Sequence, residues 1–314
     1  MIDYDDYLAR LERVLDRQRT AVTLPLPAQP QRHRLAPQEQ QRYGLLDSYA
    51  LKPCGVMALI GEHNAQLGKV APPSQQLIYH HQLAYQLHKC DPSQLSDSGV
   101  ALRQQVLTNK QQRLPSYSAR LLLLSDEIWH NLDASAPANI THNPELLQAV
   151  IGLVTLKQVL ADSQRTIAQP SAQLEQQLAV LHQQRQPRQM HRAMIESIQG
   201  LTQATELLQQ ADPNSCSPKQ FDILFNILHR IYGKRIQPQL AQLQRLDRTI
   251  TPSLQQLLSP WPDLPYFHFY LSEEPQSLRG QYQQAISAHT TAWQQLLQQC
   301  DASVNGKSFA MSRS

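Results

Sequence analysis

Apolar residues recur along this chain at intervals of three and four almost from end to end, a rhythm that predicts one amphipathic helix after another. Tyr4, Tyr7, Leu8, Leu11, Val14 and Leu15 form the first stripe, with Arg10, Glu12, Arg13 and Asp16 off it, over residues 3–18. A proline-punctuated, basic stretch from Leu24 to Arg34 reads as an extended strap. A helix over 38–49 then feeds two helical segments between Cys54 and Cys90. Further helices are expected over 100–113, from Pro115 to about Leu132, from Pro144 (placed as a first helical residue) to Gln164, between Pro170 and Pro187, and over 188–210, with a loop at 212–215. The cleanest pattern is Phe221, Leu224, Phe225, Leu228, Ile231, Tyr232 and Arg235, resuming at Leu240, Leu243, Leu246 and Ile250. Pro238 interrupts it, which predicts one kinked helix or two helices meeting at Gln237. The aromatic run Tyr266 to Tyr270 has strand propensity but no partner strand, so it reads as a loop or short helix plugging the core. Pro275 opens a last helix ending at Cys300, and residues 303–314 read as a disordered tail. The expected class is all-α: a helical array or bundle of about nine to eleven helices, no significant sheet, and a single domain over residues 1–302.

The segment from Cys54 to Cys90 shows how these signals combine. Val56, Met57, Ile60 and Leu67 share a stripe with His63 and Asn64. Gly68 suits a left-handed helix end, Pro72 and Pro73 forbid continuation, and Ser74 suits an N-cap or first turn ahead of Leu77, Ile78, Ala84 and Leu87. A short link between helices favours antiparallel neighbours. The start of the first helix then lies beside the end of the second, which brings Cys54 to Cys90 for a disulfide. Four cysteines allow three pairings. With the first pair assigned, Cys216 and Cys300 follow by elimination.

Composition narrows the function classes. Of 314 residues 41% are hydrophobic, enough for a sizeable core, and only 17% are charged; glutamine supplies the missing polar surface in repeated Gln-Gln-Leu units. A net charge of +3 is too weak to imply nucleic acid. No apolar run approaches the roughly 20 residues a membrane helix needs. The nucleophile elbow, the paired-histidine zinc motif, the dinucleotide fingerprint and Cys-x-x-Cys are all missing, so no cofactor, metal or catalytic residue is assigned. His80, His81 and His88 share one helix without a further ligand at metal spacing, and read as surface or interfacial histidines. His63 and His289, on apolar stripes, read as hydrogen-bonded core histidines. Two denser polar sets remain as ligand-binding candidates: Glu62, Asn64, Lys69, Ser74 and Gln75 around the hairpin turn, and Tyr232, Lys234, Arg235 and Gln237 at the Pro238 interruption, where a broken helix exposes backbone groups. Arg230, Lys234, Arg245 and Arg248 make that second region basic.

Three blocks carry a resemblance. The first is Tyr43-Gly44-Leu45-Leu46-Asp47, Cys54-Gly55, Leu59 to Asn64, Leu67-Gly68-Lys69-Val70 and Pro73-Ser74-Gln75. The second is Tyr232 to Pro238, and the third is His289 to Gln294, running on to Cys300. Together they resemble the bacterial, mainly gammaproteobacterial, envelope family called domain of unknown function 3080, over nearly the whole chain. The resemblance implies an uncharacterised helical envelope protein: a periplasmic lipoprotein, lipid-anchored to a membrane, that binds or scaffolds. The expected partner is an unknown envelope protein or a small ligand, with no nucleic acid. The alternative is an enzyme of unknown reaction with a polar site around Glu62, Lys69, Tyr232 and Arg235. One feature departs from the family, whose members begin with a lipoprotein signal. Met1 to Asp6 is acidic, whereas a secretory signal opens basic and turns apolar. A mature form with an added Met, a start placed late in the gene, and a cytosolic member all stay open, and the even cysteine count favours export.

Overall fold

The computed structural model describes residues 2–37, 43–212 and 216–311, with side chains described as far as Cys300. Among these residues there are fourteen α-helical segments, some only a turn long, and no strand. They are α1 (Tyr4–Leu15), α2 (Leu45–Ala50), α3 (Met57–Asn64), α4 (Gln66–Lys69), α5 (Pro73–Lys89), α6 (Asp97–Leu123), α7 (Asp126–Trp129), α8 (Pro144–Leu160), α9 (Pro170–Gln183), α10 (Gln186–Gln209), α11 (Pro218–Asn226), α12 (Gln237–Leu258), α13 (Pro265–Leu271) and α14 (Leu278–Met311). A ten-residue π-helix, Ile227–Ile236, joins α11 to α12. The first part of the expected helix over 38–49 and most of the loop at 212–215 lie outside the described residues.

Local chemistry sets most boundaries. Asp3 caps α1 by accepting from the Asp6 amide at 3.2 Å, and Asn143 caps α8 ahead of Pro144. Ser217 caps α11, and Ser277 does the same before α14. Helix α10 lies at the centre, against α14, α1 and α12. The α1–α10 crossing is tight: a Cβ on Gly200 would come 2.4 Å from the Tyr4 ring. The main core gathers Tyr7, Leu11, Met194, Leu201, Leu243, Phe267 and Trp293 with residues from nearly every helix. A smaller core sits between α2, α3, α5 and α6, around Tyr43, Leu51, Ile60, Leu83 and Val106. Both disulfides form as expected. Cys54–Cys90 closes the smaller core, and Cys216–Cys300 ties the start of α11 to α14, with Cα separations of 4.9 and 5.4 Å.

The differences are instructive. Pro115 does not open a helix; it lies inside α6, whose flanks Leu114, Tyr117 and Ser118 are buried, so packing outweighs the one hydrogen bond proline removes. The first hairpin segment breaks at Ala65 instead of running to Leu67, so Leu67 points to solvent; Met57, at the start of α3, is also exposed, while Val56 and Ile60 stay inside. Gly68 is no left-handed cap. A side chain there would meet the Glu62 and His63 carbonyls at 2.3 and 2.4 Å, because α4 folds onto the end of α3. Gly55 is the left-handed residue, at φ 72°. Ser74 lies within the first turn of α5, behind Pro73. The aromatic run forms α13, with Tyr266, Phe267, Phe269 and Tyr270 all buried. Helix α14 continues through Met311, past the expected end at Cys300.

Candidate functional site

The π-helix is the least regular part of the main-chain scaffold, and it shapes a cleft. Buried positions step from Leu224 to Ile227, then Tyr232, Ile236 and Leu240. The five-residue step from Ile227 to Tyr232 is the widened turn, and it puts Tyr232 on the core face where regular α spacing would have put Ile231. At its C-terminal end the Gln237 amide bonds to the Tyr232 carbonyl, five residues back. Pro238 follows with no N–H. In this register, the carbonyl it would have satisfied is that of Gly233. The sequence thus marked the interruption correctly: two helices meet at Gln237, the π-helix ending at Ile236 and α12 opening at Gln237 with Pro238 in its first turn, and what the sequence did not show is the change of helix type.

Opposite this segment runs α14. Between them lies a cleft of about 450 Å³, lined on one side by Leu228, His229, Tyr232, Gly233, Gln237, Leu240, Ala241 and Gln244, and on the other by Ile286, Thr290, Trp293, Gln294 and Leu297. Its volume is in the range of small-ligand sites. Two of the three sequence blocks meet here: Tyr232, Gly233 and Gln237 face Thr290, Trp293 and Gln294. None of the lining residues is a carboxylate, lysine or arginine.

Behind the cleft an ordered chain of hydrogen bonds fixes its wall. Trp293 Nε1 donates to Tyr7 Oη at 2.8 Å, so the tyrosine proton points to His289 Nε2, 2.9 Å away. His289 then carries its own proton on Nδ1, facing Thr205 Oγ1 at 3.4 Å, and Thr205 donates to the Leu201 carbonyl at 2.7 Å. One tautomer satisfies every member. Burial pushes His289 down to about 3 and holds Tyr7 well above the ordinary tyrosine value, so both are neutral at physiological pH. Tyr232 sits edge-on to the His289 ring, with centroids 4.8 Å apart. Burial raises its hydroxyl, partly offset by a hydrogen bond with Thr290. His289 is thus the hydrogen-bonded core histidine expected from sequence. It locks α1, α10 and α14 together and orients Trp293.

The other candidate residues divide. Of the second polar set, Tyr232 and Gln237 line the cleft. Lys234 is exposed outside it, and Arg235 reaches Asp6 at 2.8 Å and Asp3 at 3.5 Å, which clamps the π-helix to the start of α1. None of the first set lines the cleft. Ser74 and Gln75 spend their hydrogen bonds on Glu175 and Ser171 of α9, at 2.7 to 3.0 Å. Asn64 donates to the Tyr43 carbonyl at 2.8 Å, and Glu62 and Lys69 are exposed.

Sequence reading missed one buried polar pair. His80 and His81 are not surface residues, since α5 is enclosed by α3, α6, α8 and α9; His88 alone of the three is exposed. Lys110, 2% exposed on α6, reaches His80 Nδ1 at 2.8 Å. His80 therefore accepts there and carries its proton on Nε2, which meets no acceptor among the described residues. Burial is the main cause that lowers both groups, Lys110 to about 8. The signal was present: Lys110 falls on the stripe of Val106, Leu107, Leu114 and Tyr117.

A family model described as "Protein of unknown function (DUF3080)" matches residues 4–304. No curated protein and no solved structure matches the chain.

Proposed function

Because the chain belongs to the DUF3080 family, whose description assigns no activity, we propose that it is a non-catalytic binding module of the bacterial envelope whose ligand occupies the cleft between the π-helix and α14. The observation that carries this reading is the convergence of two family blocks on a roomy, uncharged cleft with a rigid hydrogen-bonded back wall. The lining holds two titratable side chains, His229 and Tyr232, and no carboxylate to serve as their acid–base partner, so the cleft is built to hold a molecule more than to transform it. Neither cation of the enzyme reading lines the cleft: Arg235 is held by Asp6 and Asp3, and Lys69 is exposed elsewhere. Two disulfides favour an oxidising compartment, and among the described residues no helix is long and apolar enough to cross a membrane. A periplasmic protein with a lipid anchor carried outside this sequence fits both.

The cleft is tested with an uncharged apolar fluorophore, 1-N-phenylnaphthylamine. One saturable site is expected, lost in Ala241→Trp, which fills the cleft from a half-buried position, provided that circular dichroism shows the variant folded. Absence of saturable binding, or binding unchanged in the variant, would sink the proposal. The anchor is tested by fractionating cells that express the complete native gene. Cytosolic recovery of the protein would refute it.

A further inference from the structure

An aromatic ladder runs along α11 to this cleft, from Phe221, half-buried against the main core, to the exposed Phe225 and His229. Phe221, Phe225 and His229 are spaced four apart along α11 and the start of the π-helix, with ring centroids 6.4 and 5.5 Å apart and planes within 18° and 11° of parallel. Eight residues of helix make the ladder about 12 Å long. Phe225 is 48% exposed and its neighbour Ile223 41% exposed. His229, the inner rung, is itself a lining residue of the cleft. Beyond it stand three amide side chains, Gln237, Gln244 and Gln294, with the Thr290 hydroxyl, above an apolar floor of Leu240, Ile286 and Leu297.

We infer that the ladder and cleft together form a binding site for a neutral saccharide chain. The proposal rests on the binding reading above and names its ligand class. A pyranose ring presents C–H bonds on its faces, which are attracted to the electron-rich face of an aromatic ring. Its edge carries hydroxyls that each donate and accept, and a carboxamide meets them with both functions at once and without charge. Thr290 already donates to the Ile286 carbonyl at 2.9 Å, so the three amides are the polar groups a ligand can engage; an apolar ligand can rest on the floor without them, whereas one that pairs with them avoids the cost of about 1–3 kcal/mol for each amide stranded by burial. An anionic polymer would find no cation among the lining residues, and Arg230 and Lys234 are exposed outside it. The length of the ladder suits an oligomer whose successive rings sit on successive rungs, with one end inserted among the glutamines.

The test uses the full chain with both disulfides intact. N-acetylglucosamine trimer, cellotriose and trigalacturonate are titrated by calorimetry and by displacement of 1-N-phenylnaphthylamine. Saturable binding of at least one neutral trimer, with displacement of the fluorophore and no comparable binding of the charged trimer, is expected. Phe225→Ala and Gln244→Ala should each weaken the sugar about fivefold to tenfold, the loss expected for one aromatic or hydrogen-bonding contact, with the circular dichroism spectrum unchanged. Fluorophore binding without binding of either neutral trimer overturns the saccharide assignment and leaves the cleft reading standing. Equal or tighter binding of trigalacturonate also overturns the assignment. Binding of neither fluorophore nor sugar overturns both.

Discussion

Lys110→Met should make the protein more stable. Lys110 lies on an apolar helix face, 2% exposed, with no carboxylate in hydrogen-bonding contact and His80 as its partner. Its ammonium loses a proton near pH 8 where a free lysine would hold it to 10.5, so retaining the charge in the folded chain at pH 7 costs about 3 kcal/mol. Methionine keeps the length and apolar stem and abolishes that cost. Against this, His80 Nδ1 loses its donor, at about 1–2 kcal/mol. The balance is a gain of about 1–2 kcal/mol at pH 7, or a few degrees in Tm. The pH dependence separates this cause from mere repacking. Between pH 8 and 10 the unfolded chain holds the Lys110 proton and the folded chain does not, so the wild-type protein gains stability as pH rises, and the advantage of the variant shrinks towards zero or reverses. Lys157, also lowered to about 8 by burial, titrates in both proteins and cancels from the difference. Urea unfolding of both proteins at pH 7.5, 8.5 and 9.5 gives the answer. A variant less stable at pH 7.5, or an advantage constant across the range, would refute the reasoning.

Three further outcomes are expected. Acid should destabilise the fold well before carboxylates protonate: burial holds His289 at about 3 and His191 at about 4, so as pH falls below 6.5 the unfolded chain takes up protons that the folded chain refuses, costing about 3 kcal/mol for each histidine by pH 4, and a urea midpoint flat from pH 7 to 4 would contradict this. Replacing both cysteines of one bridge by serine should cost about 4 kcal/mol for Cys54–Cys90 and slightly more for Cys216–Cys300, whose separation of 84 residues exceeds the 36 of the first, measured as lost unfolding free energy under non-reducing conditions. Gly200→Ala should cost at least about 2 kcal/mol because its methyl would overlap the Tyr4 ring, and the Gly200→Ala, Tyr4→Ala double variant should fall well short of the sum of the single losses, as expected of residues in direct contact.

Much of the fold was legible because its information is local. The stripe of Tyr4, Tyr7, Leu8 and Leu11 is buried as its spacing required, and the Asn143–Pro144 pair opens α8. The first disulfide followed from a hairpin that a few turn residues define. What stayed hidden depends on partners distant in sequence. Pro115 reads as a helix start until Tyr117 and Leu121 are seen buried in the main core. Gly68 reads as a cap until α4 is seen folded against the His63 carbonyl. Lys110 falls on an apolar stripe, but its partner His80 lies 30 positions away, and only the pairing of α5 with α6 shows the two enclosed together. The polar sets were chosen for polarity, and polarity alone does not separate a clamp such as Arg235 from a cleft residue such as Gln237.

The π-helix accounts for why the site lies where it does. Continued α spacing from Leu224 and Ile227 would bury Ile231 and turn Tyr232 away from His289. The extra residue per turn instead brings Tyr232 against both His289 and Tyr7, with ring centroids 4.8 and 6.0 Å away. Such a register has weaker hydrogen-bond geometry than an α-helix and survives only where surrounding contacts enforce it. Those contacts are present on both sides. Cys216–Cys300 fixes the start of α11, the Arg235 clamp holds the far end to Asp6, and the Trp293–Tyr7–His289 chain supplies a wall that accepts one orientation. Pro238 then prevents the main chain from satisfying the Gly233 carbonyl in the π register, at a glycine that lines the cleft. Gly233 lines the cleft beside three carboxamides, Gln237, Gln244 and Gln294, and a hydroxyl-bearing ligand would find both donors and acceptors among them.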